Sequence, residues 1–166
     1  MLDKVLSCVN RTFEAAISVL FFSIVVVGGL QVFNRFILNQ SLSWSEEFMV
    51  YANIWMVFLT IPVAYNHGSH IGMNLFVKGL PPKAQIVTIL AIDLLWLVLA
   101  GAIVVYTTVI MRVASNQDSP AMGLRMDRVY LSLVVGWSYM ALLALRKVAG
   151  SFVLLRSGEA TGATPC

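Results

Sequence analysis

The stretch QVFNRFILNQSLSWSEEFMVYANIWMVFLTIPVAYNHGSHI, residues 31–71, contains the end of one apolar segment, a short polar connector and a complete second apolar segment. Its polar groups and its interfacial aromatic residue collect at the two edges of the second segment. These edge residues are Gln31, Asn34, Arg35, Trp44, Glu46, Glu47, His67 and His70. In a chain that crosses a membrane, polar groups at such positions need water, a headgroup or another protein group as partner.

The composition indicates that most of the chain is solvated by lipid. Of its 166 residues, 59% are hydrophobic and only 11% are charged, and the mean hydropathy is +0.84. Four apolar segments lie at about residues 13–34, 48–66, 84–111 and 129–147. Three are close to the ~20 residues that span a bilayer, and the longer third segment is expected to be tilted or to project beyond it. We therefore predict an all-α integral membrane protein with four transmembrane helices in residues 1–150. Residues 151–166 are predicted to form a flexible cytoplasmic tail.

The distribution of basic residues predicts the orientation. Four spans place both termini on one side of the membrane, and that side has seven Lys and Arg residues, whereas the other side has four. An excess of basic residues marks the cytoplasmic side, so we expect both termini in the cytoplasm. These residues are dispersed between apolar segments, so the composition does not favour nucleic-acid binding.

The connector of residues 41–47 is predicted to start a helix. Ser43 followed by Glu46 matches a capping box, and the acidic residues fall in the first turn. We expect a short interfacial helix here, between spans one and two, with Trp44 at the headgroup level. Glu46 or Glu47 would then pair with Arg35 across the hairpin, or else the carboxylates would face outward toward a soluble partner.

Three polar residues within the spans are candidates for helix contacts or function. Asn53 begins a stripe of small and polar residues with Val57, Thr60 and Ala64, which suits contact between helices. Asp93 is the only acid inside span three, and depth counting predicts a position near mid-membrane with Tyr139 as partner. A structural hydrogen bond and an ion or proton pathway both remain open for Asp93.

The residues contain no recognisable catalytic or metal-binding pattern. His67 and His70 are three residues apart without further ligands nearby, so a polar loop or a subunit contact is favoured over a metal site. Cys8 and Cys166 lie far apart, which argues against a four-helix thiol oxidoreductase. No nucleotide-binding loop or nucleophile motif is present. We expect a non-enzymatic chain without a cofactor, and a stand-alone channel or small transporter using Asp93 is the alternative.

Several motifs, in this order and spacing, resemble the small membrane subunit (DctQ-like) of tripartite ATP-independent periplasmic (TRAP) transporters. The motifs are Asn34-Arg35-Phe36, Trp44-Ser45-Glu46-Glu47-Phe48, then Tyr51, Trp55 and Phe58, then Gly68-Ser69-His70-Ile71, and later Ser119-Pro120-Ala121 with Leu124 and Tyr130. The resemblance covers about residues 10–150. One departure is Arg125, at a position where the family would be expected to have proline.

The resemblance implies a role in a transporter of the bacterial inner membrane. A periplasmic binding protein would deliver an organic acid, such as a dicarboxylate or a sialic-type sugar acid, and a large subunit would carry it with sodium in an elevator movement. This chain would be the fixed scaffold, in contact with membrane lipid. Arg35, Trp44, Glu46 and Glu47 would form its periplasmic corner, either internally or as a docking surface, and His70 would lie in the cytoplasmic turn. Bound sodium is expected on the large subunit, and bound lipid is compatible with this chain.

Overall fold

A computed structural model of the chain describes residues 2–40, 42–67 and 82–157. Within these residues the chain forms four helices, and each is long and apolar enough to cross a membrane. The helices are α1 (Leu2–Ile37), α2 (Ser43–Asn66), α3 (Pro82–Ala114) and α4 (Asp127–Ser157). The predicted all-α architecture with four membrane-spanning helices is therefore confirmed.

Two helices extend beyond their predicted spans. α1 begins at Leu2 rather than near residue 13, because residues 2–12 contain no glycine or proline and Leu6 joins the buried core. α4 continues to Ser157, so part of the predicted flexible tail is helical. The remaining tail, residues 158–166, and residues 68–81, which include His70, lie outside the described residues.

α4 is the central helix of the bundle. It packs against α3 and α2, and α2 also packs against α1, so the helices follow one another in space as α1, α2, α4 and α3. In the most apolar stretch of α4, 44% of the residues are buried, whereas none are buried in that of α1. The core cluster is centred on Trp137, Tyr139, Met140, Leu143 and Ala144 of α4. α1 therefore exposes most of its apolar surface.

A glycine allows α2 and α4 to approach closely. A Cβ atom at Gly136 would lie 3.0 Å from the carbonyl carbon of Phe58 and closer still to its oxygen. Both are backbone atoms, which cannot rotate away, so only glycine fits this crossing. Small residues have this role at many helix contacts in membranes. Ser132, one turn before Gly136, is completely buried on the same helix.

Different parts of the chain lie at the two ends of the helix bundle. The connector end contains the α1–α2 connector (residues 38–42) and the α3–α4 connector (residues 115–126). The terminal end contains the beginnings of α1 and α3 and the ends of α2 and α4. The basic-residue distribution predicts that the terminal end faces the cytoplasm, and this orientation stays a prediction.

The helix start at the connector is confirmed, but two details of its prediction are wrong. Residues 43–47 are the first turns of a continuous α2 rather than a separate interfacial helix. The N-cap residue is Leu42, which has no side-chain capping bond, so Ser43 and Glu46 form no capping box. The hydroxyl of Ser45 instead donates to the carbonyl oxygen of Leu42 at 2.7 Å.

The structure shows which way the polar stripe of α2 faces. Asn53, Val57 and Thr60 are exposed, so the stripe of small and polar residues points away from the bundle. Another side of the helix, which includes Phe58 and Pro62, faces inward. In a membrane, composition does not show whether a polar stripe faces the other helices of its own chain or another chain. Asn53 is therefore not a buried contact between helices of this chain.

Candidate functional site

Glu47 connects α2 to the α3–α4 connector. Its carboxylate accepts hydrogen bonds from the backbone N–H of Ala121 at 3.1 Å and of Met122 at 3.0 Å. The hydroxyl of Ser119, a buried residue, donates to the same carboxylate. Bonds to an ionised acceptor are roughly twice as strong as neutral ones. Three donors on one side chain therefore fix the position of the connector against the start of α2.

The connector is folded so that its N–H groups can converge on Glu47. The N–H of Gly123 donates to the carbonyl oxygen of Ser119 at 3.0 Å, and Gly123 has a φ of +61°, which a residue with a side chain rarely adopts. Pro120 has no N–H, so the next two amides, 121 and 122, remain to bind the carboxylate. Adjacent backbone N–H groups of this kind form small anion-binding concavities.

Arg125, the departure from the family pattern, is compatible with this backbone. The residues flanking the turn pair through two bonds, from Ser119 N–H to Leu124 O at 2.9 Å and from Met126 N–H to Gln117 O at 3.0 Å. Neither bond uses the N–H of residue 125, so this pairing accepts an arginine or a proline there. The guanidinium of Arg125 instead forms an ion pair with Asp127 at 2.9 Å.

Glu46 and Arg35 lie on the side of the α2 start that faces α1. The contacts of Glu47 lie on the opposite side, at the α3–α4 connector. Glu46 accepts a hydrogen bond from the side-chain amide of Gln31 at 3.2 Å. Among the described residues, no carboxylate is within ion-pair distance of the Arg35 guanidinium, so the predicted pairing of Arg35 with Glu46 or Glu47 is wrong. Successive helical residues point about 100° apart. One carboxylate therefore reaches the α3–α4 connector and the other reaches α1.

A cavity of about 370 Å³ opens between the end of α1 and the start of α2. It is lined by Gln31, Arg35, Leu42, Ser43 and Glu46. Trp44, predicted as a headgroup anchor, lies in the same turn of α2 and is 40% exposed. The exposed position of Trp44 agrees with that role.

At the terminal end, Asp93 is buried with a partner that the sequence did not predict. The hydroxyl of Tyr65 donates to the Asp93 carboxylate at 2.7 Å, and Asp93 is only 4% exposed. The ammonium of Lys147 lies 3.7 Å from the centre of the Tyr65 ring and donates to the Tyr65 carbonyl oxygen at 3.0 Å. This cluster joins the end of α2 to α3 and α4.

The predicted contact between Asp93 and Tyr139 is therefore wrong. The Tyr139 hydroxyl donates to the carbonyl oxygen of Leu6 at 3.3 Å, and its ring packs edge-on against Phe13 at 4.8 Å. The apolar span of α3 begins at Val87, so Asp93 lies only about 9 Å into it. The depth of a residue in the membrane can be counted along its own helix, but this count does not show how the helix is rotated about its axis. For that reason, Tyr65 at the end of α2 was not recognised as the partner.

A second polar contact at the terminal end joins α1 to α2. His67 Nε2 lies 3.4 Å from a carboxylate oxygen of Glu14, and its Nδ1 lies 3.0 Å from the carbonyl oxygen of Val63. The same Glu14 oxygen accepts a bond from the Asn10 amide at 2.8 Å. Within the part of the chain that the structure describes, no three His, Cys, Asp or Glu residues are placed to hold a metal ion. His70 lies outside the described residues, and its role stays a prediction.

These features of the helices and their contacts define a class of protein. The chain is a multi-pass membrane protein whose polar residues hold helices and connectors together. The buried carboxylate of Asp93 accepts a hydrogen bond from Tyr65 and is only 4% exposed. An arrangement of this kind is typical of a supporting membrane subunit.

Comparison with known proteins identifies the family. Residues 24–154 match the family model of the DctQ component of tripartite ATP-independent periplasmic transporters. The chain belongs to this family, and it is a small permease subunit of the bacterial inner membrane. Members of this family are transporter subunits rather than enzymes.

Three curated relatives are similar to most or part of the chain. A putative TRAP transporter small permease protein of Haemophilus influenzae is 27% identical, over 85% of this chain and 91% of the relative. The sialic acid TRAP transporter small permease protein SiaQ of Vibrio cholerae is 27% identical, over 92% and 88%. The isethionate TRAP transporter permease protein DctMQ of Oleidesulfovibrio alaskensis is 30% identical, over 64% of this chain and 17% of that permease.

Proposed function

We propose that this chain is the fixed scaffold subunit of a sodium-coupled, binding-protein-dependent transporter for an organic acid. In this proposal a large membrane subunit carries substrate and sodium in an elevator movement, and this chain holds that subunit in the membrane. Two relatives are named for the transport of organic acids, sialic acid and isethionate. These names support an organic acid as the class of substrate.

The observation that carries the proposal is the outward position of Asn53. Asn53 lies ten residues after the start of α2, about 15 Å along the helix and therefore near the middle of the span. Its side chain is exposed, and no described residue hydrogen-bonds its amide. An exposed amide at that depth is unfavourable in lipid. We infer that another membrane protein covers this side of α2.

The neighbouring residues extend the same surface. Val57 is 48% exposed and Thr60 is also exposed, and both lie on the Asn53 side of the helix. Small and polar side chains allow close approach and interhelical hydrogen bonds, which drive helix association in membranes. We call the outward side of α2, formed by Asn53, Val57 and Thr60, the α2 outer face. It is the proposed contact with the large subunit.

The DctMQ relative supports a large-subunit partner. The segment that matches this chain is only 17% of that permease. Most of the permease is therefore a different region, joined covalently to a DctQ-like segment. Covalent fusion of two regions keeps them at high effective concentration and in a fixed ratio. We propose that the present chain forms the corresponding contact with a large subunit.

The contacts at both ends of the bundle support a static role. Glu47 fixes the α3–α4 connector, and the Tyr65–Asp93–Lys147 cluster fixes the opposite end. An elevator movement needs a subunit that does not move with the substrate. The outer side of the α3–α4 connector is exposed at residues 116–118 and 120–121. We propose this connector surface as the part of the chain that helps to dock the periplasmic binding protein.

The experiment places a bulky side chain on the α2 outer face. Asn53→Trp adds an indole to an exposed site, so it leaves the packing of this chain unchanged but blocks a close helix contact. Val105→Trp is the matched control, because Val105 is a 62% exposed residue on α3. The chain is tagged, extracted from its native membrane in mild detergent, and the co-purified large subunit is quantified.

We expect Asn53→Trp to reduce the recovered large subunit at least about tenfold, which corresponds to ~1.4 kcal/mol of association free energy. Val105→Trp should retain the amount recovered with the unmodified chain. Equal recovery in the two variants would show that the α2 outer face is not the contact. Transport by this chain alone would instead support the stand-alone alternative.

A further inference from the structure

The cavity between α1 and α2 contains two opposite charges that are not paired with each other. Within the described residues, the guanidinium of Arg35 has no carboxylate within ion-pair distance. Glu46 accepts one bond, from Gln31 to its Oε1 atom, and its second carboxylate oxygen has no described donor. Both side chains line the same space of about 370 Å³, and both are exposed. The cavity therefore offers one cationic and one anionic group to a ligand.

The start of α2 adds positive potential to this cavity. Leu42, the N-cap residue, makes no side-chain capping bond, and Leu42 and Ser43 line the cavity. The N–H of Ser45 donates to the carbonyl oxygen of Leu42 at 3.1 Å. The other N–H groups at the start of a helix have no partner within the helix, and they favour a negative group. Together with Arg35 they form a set of donors suited to a phosphate. The free oxygen of Glu46 is suited to an ammonium group.

The surroundings of the cavity are apolar. The last turns of α1 carry four large apolar side chains that are more than half exposed. They are Val32 (58%), Phe33 (51%), Phe36 (74%) and Ile37 (62%). A ligand with a charged head and hydrocarbon chains can therefore place its head in the cavity and its chains along α1. A phospholipid at the membrane edge has this form.

We propose that the cavity binds the headgroup of a zwitterionic phospholipid with a primary amine, such as phosphatidylethanolamine. The phosphate would lie against Arg35 and the start of α2, and the ammonium would donate hydrogen bonds to Glu46. A carboxylate from a protein partner would pair with Arg35 but leave the charge of Glu46 unmatched. The inference requires only that the chain spans the membrane, so it does not rest on the proposed contact with the large subunit.

The test measures lipid binding to the complex as it is purified from its native membrane. The detergent-purified complex is titrated separately with phosphatidylethanolamine, phosphatidylcholine and phosphatidylglycerol, and bound lipids are counted by native mass spectrometry. The variants are Arg35→Gln and Glu46→Gln. Arg128→Gln is the matched control, because Arg128 is an exposed arginine at the same end of the bundle and does not line the cavity.

The unmodified chain should bind phosphatidylethanolamine more tightly than phosphatidylcholine, whose quaternary ammonium cannot donate to Glu46. Arg35→Gln should weaken phosphatidylethanolamine binding about fivefold or more, the effect of one basic residue near a membrane surface. Glu46→Gln should remove the preference for the primary amine. Arg128→Gln should bind as the unmodified chain does.

Two results would overturn the proposal. One is equal affinity of the unmodified chain for phosphatidylethanolamine and phosphatidylcholine. The other is the same lipid binding in Arg35→Gln as in Arg128→Gln. The large subunit is recorded in the same mass spectra, so its loss would be recognised separately from a change in lipid binding.

Discussion

Glu47 and Glu46 are adjacent in the chain but have different partners. Glu47 holds Ser119 and the N–H groups of Ala121 and Met122, whereas Glu46 binds Gln31 and lines the cavity with Arg35. The sequence indicated that both acids belong to the connector region, but it did not show which acid faces which element. That assignment depends on the path of residues 115–126, which local sequence does not determine.

Substitution of Glu47 tests whether its contacts hold the connector in place. Glu47→Ala removes the acceptor for all three donors, so the complex should unfold at a temperature lower by a few degrees. Assembly or transport should also fall, while the preference among organic acids stays the same. The melting temperature of the purified complex and the uptake of competing substrates provide the measurements.

Asp118→Asn is the matched control for Glu47→Ala. It removes a carboxylate from the same connector without removing any of the described bonds to Glu47. Its melting temperature should equal that of the unmodified complex. A changed substrate preference in Glu47→Ala would contradict a purely structural role, because it would connect this residue to substrate recognition.

The buried Asp93 has a structural role in this account. Tyr65→Phe removes the hydroxyl that donates to Asp93, and a buried acceptor without its donor costs about 1–3 kcal/mol of unfolding free energy. Asp93→Asn keeps an oxygen acceptor for Tyr65, so transport by the assembled complex should be retained. Chemical denaturation and uptake assays measure the two effects. Abolished transport in Asp93→Asn with an intact assembly would instead indicate an ion pathway.

At the scale of helices, the sequence predicted the elements well and their rotation poorly. Apolar runs of membrane-spanning length determine where helices lie, because the backbone must satisfy its own hydrogen bonds in lipid. The helices α1 and α4 extend beyond their predicted spans. In α1, residues 2–12 contain no glycine or proline that would end the helix at the membrane edge. The sequence did not show which way the polar stripe of α2 faces, because such a stripe suits a contact within the chain and a contact with a partner equally.

The crossing of α2 and α4 provides a prediction at this scale. Gly136→Ala places a Cβ against the backbone carbonyl of Phe58, so the two helices must separate. We expect a loss of about 1–3 kcal/mol in unfolding free energy, as for other overpacked sites. Gly101→Ala is the control, because no atom lies within 4 Å of a Cβ at that position. Chemical denaturation of both variants measures the difference.

Gly101→Ala should leave stability unchanged or raise it by up to about 1 kcal/mol, the helix-propensity difference between alanine and glycine. If Gly136→Ala were as stable as Gly101→Ala, α2 and α4 would not be in close contact at Phe58. Ser132, Gly136 and Tyr139, which share one face of α4, are all buried. Small residues on the central helix were therefore better indicators of packing than those on α2.

At the scale of the whole molecule, the predicted orientation in the membrane rests on the distribution of basic residues. Seven belong to the terminal end and four to the connector end. In a variant with Cys8→Ser and Cys166→Ser, a cysteine introduced as Asp118→Cys should react with a membrane-impermeant maleimide added to cells with a permeabilised outer membrane. A chain that retains only Cys8 should remain unlabelled until the inner membrane is opened. The reverse labelling pattern would contradict cytoplasmic termini.

The central claim is that this chain supports a large transport subunit and does not act alone. The most direct measurement is the mass and composition of the tagged chain after extraction from its native membrane in mild detergent. The account predicts a complex that contains one large polytopic membrane protein in a fixed ratio to this chain. Recovery of the chain alone, or only with copies of itself, would contradict the account and would make Asp93 the first residue to test for transport.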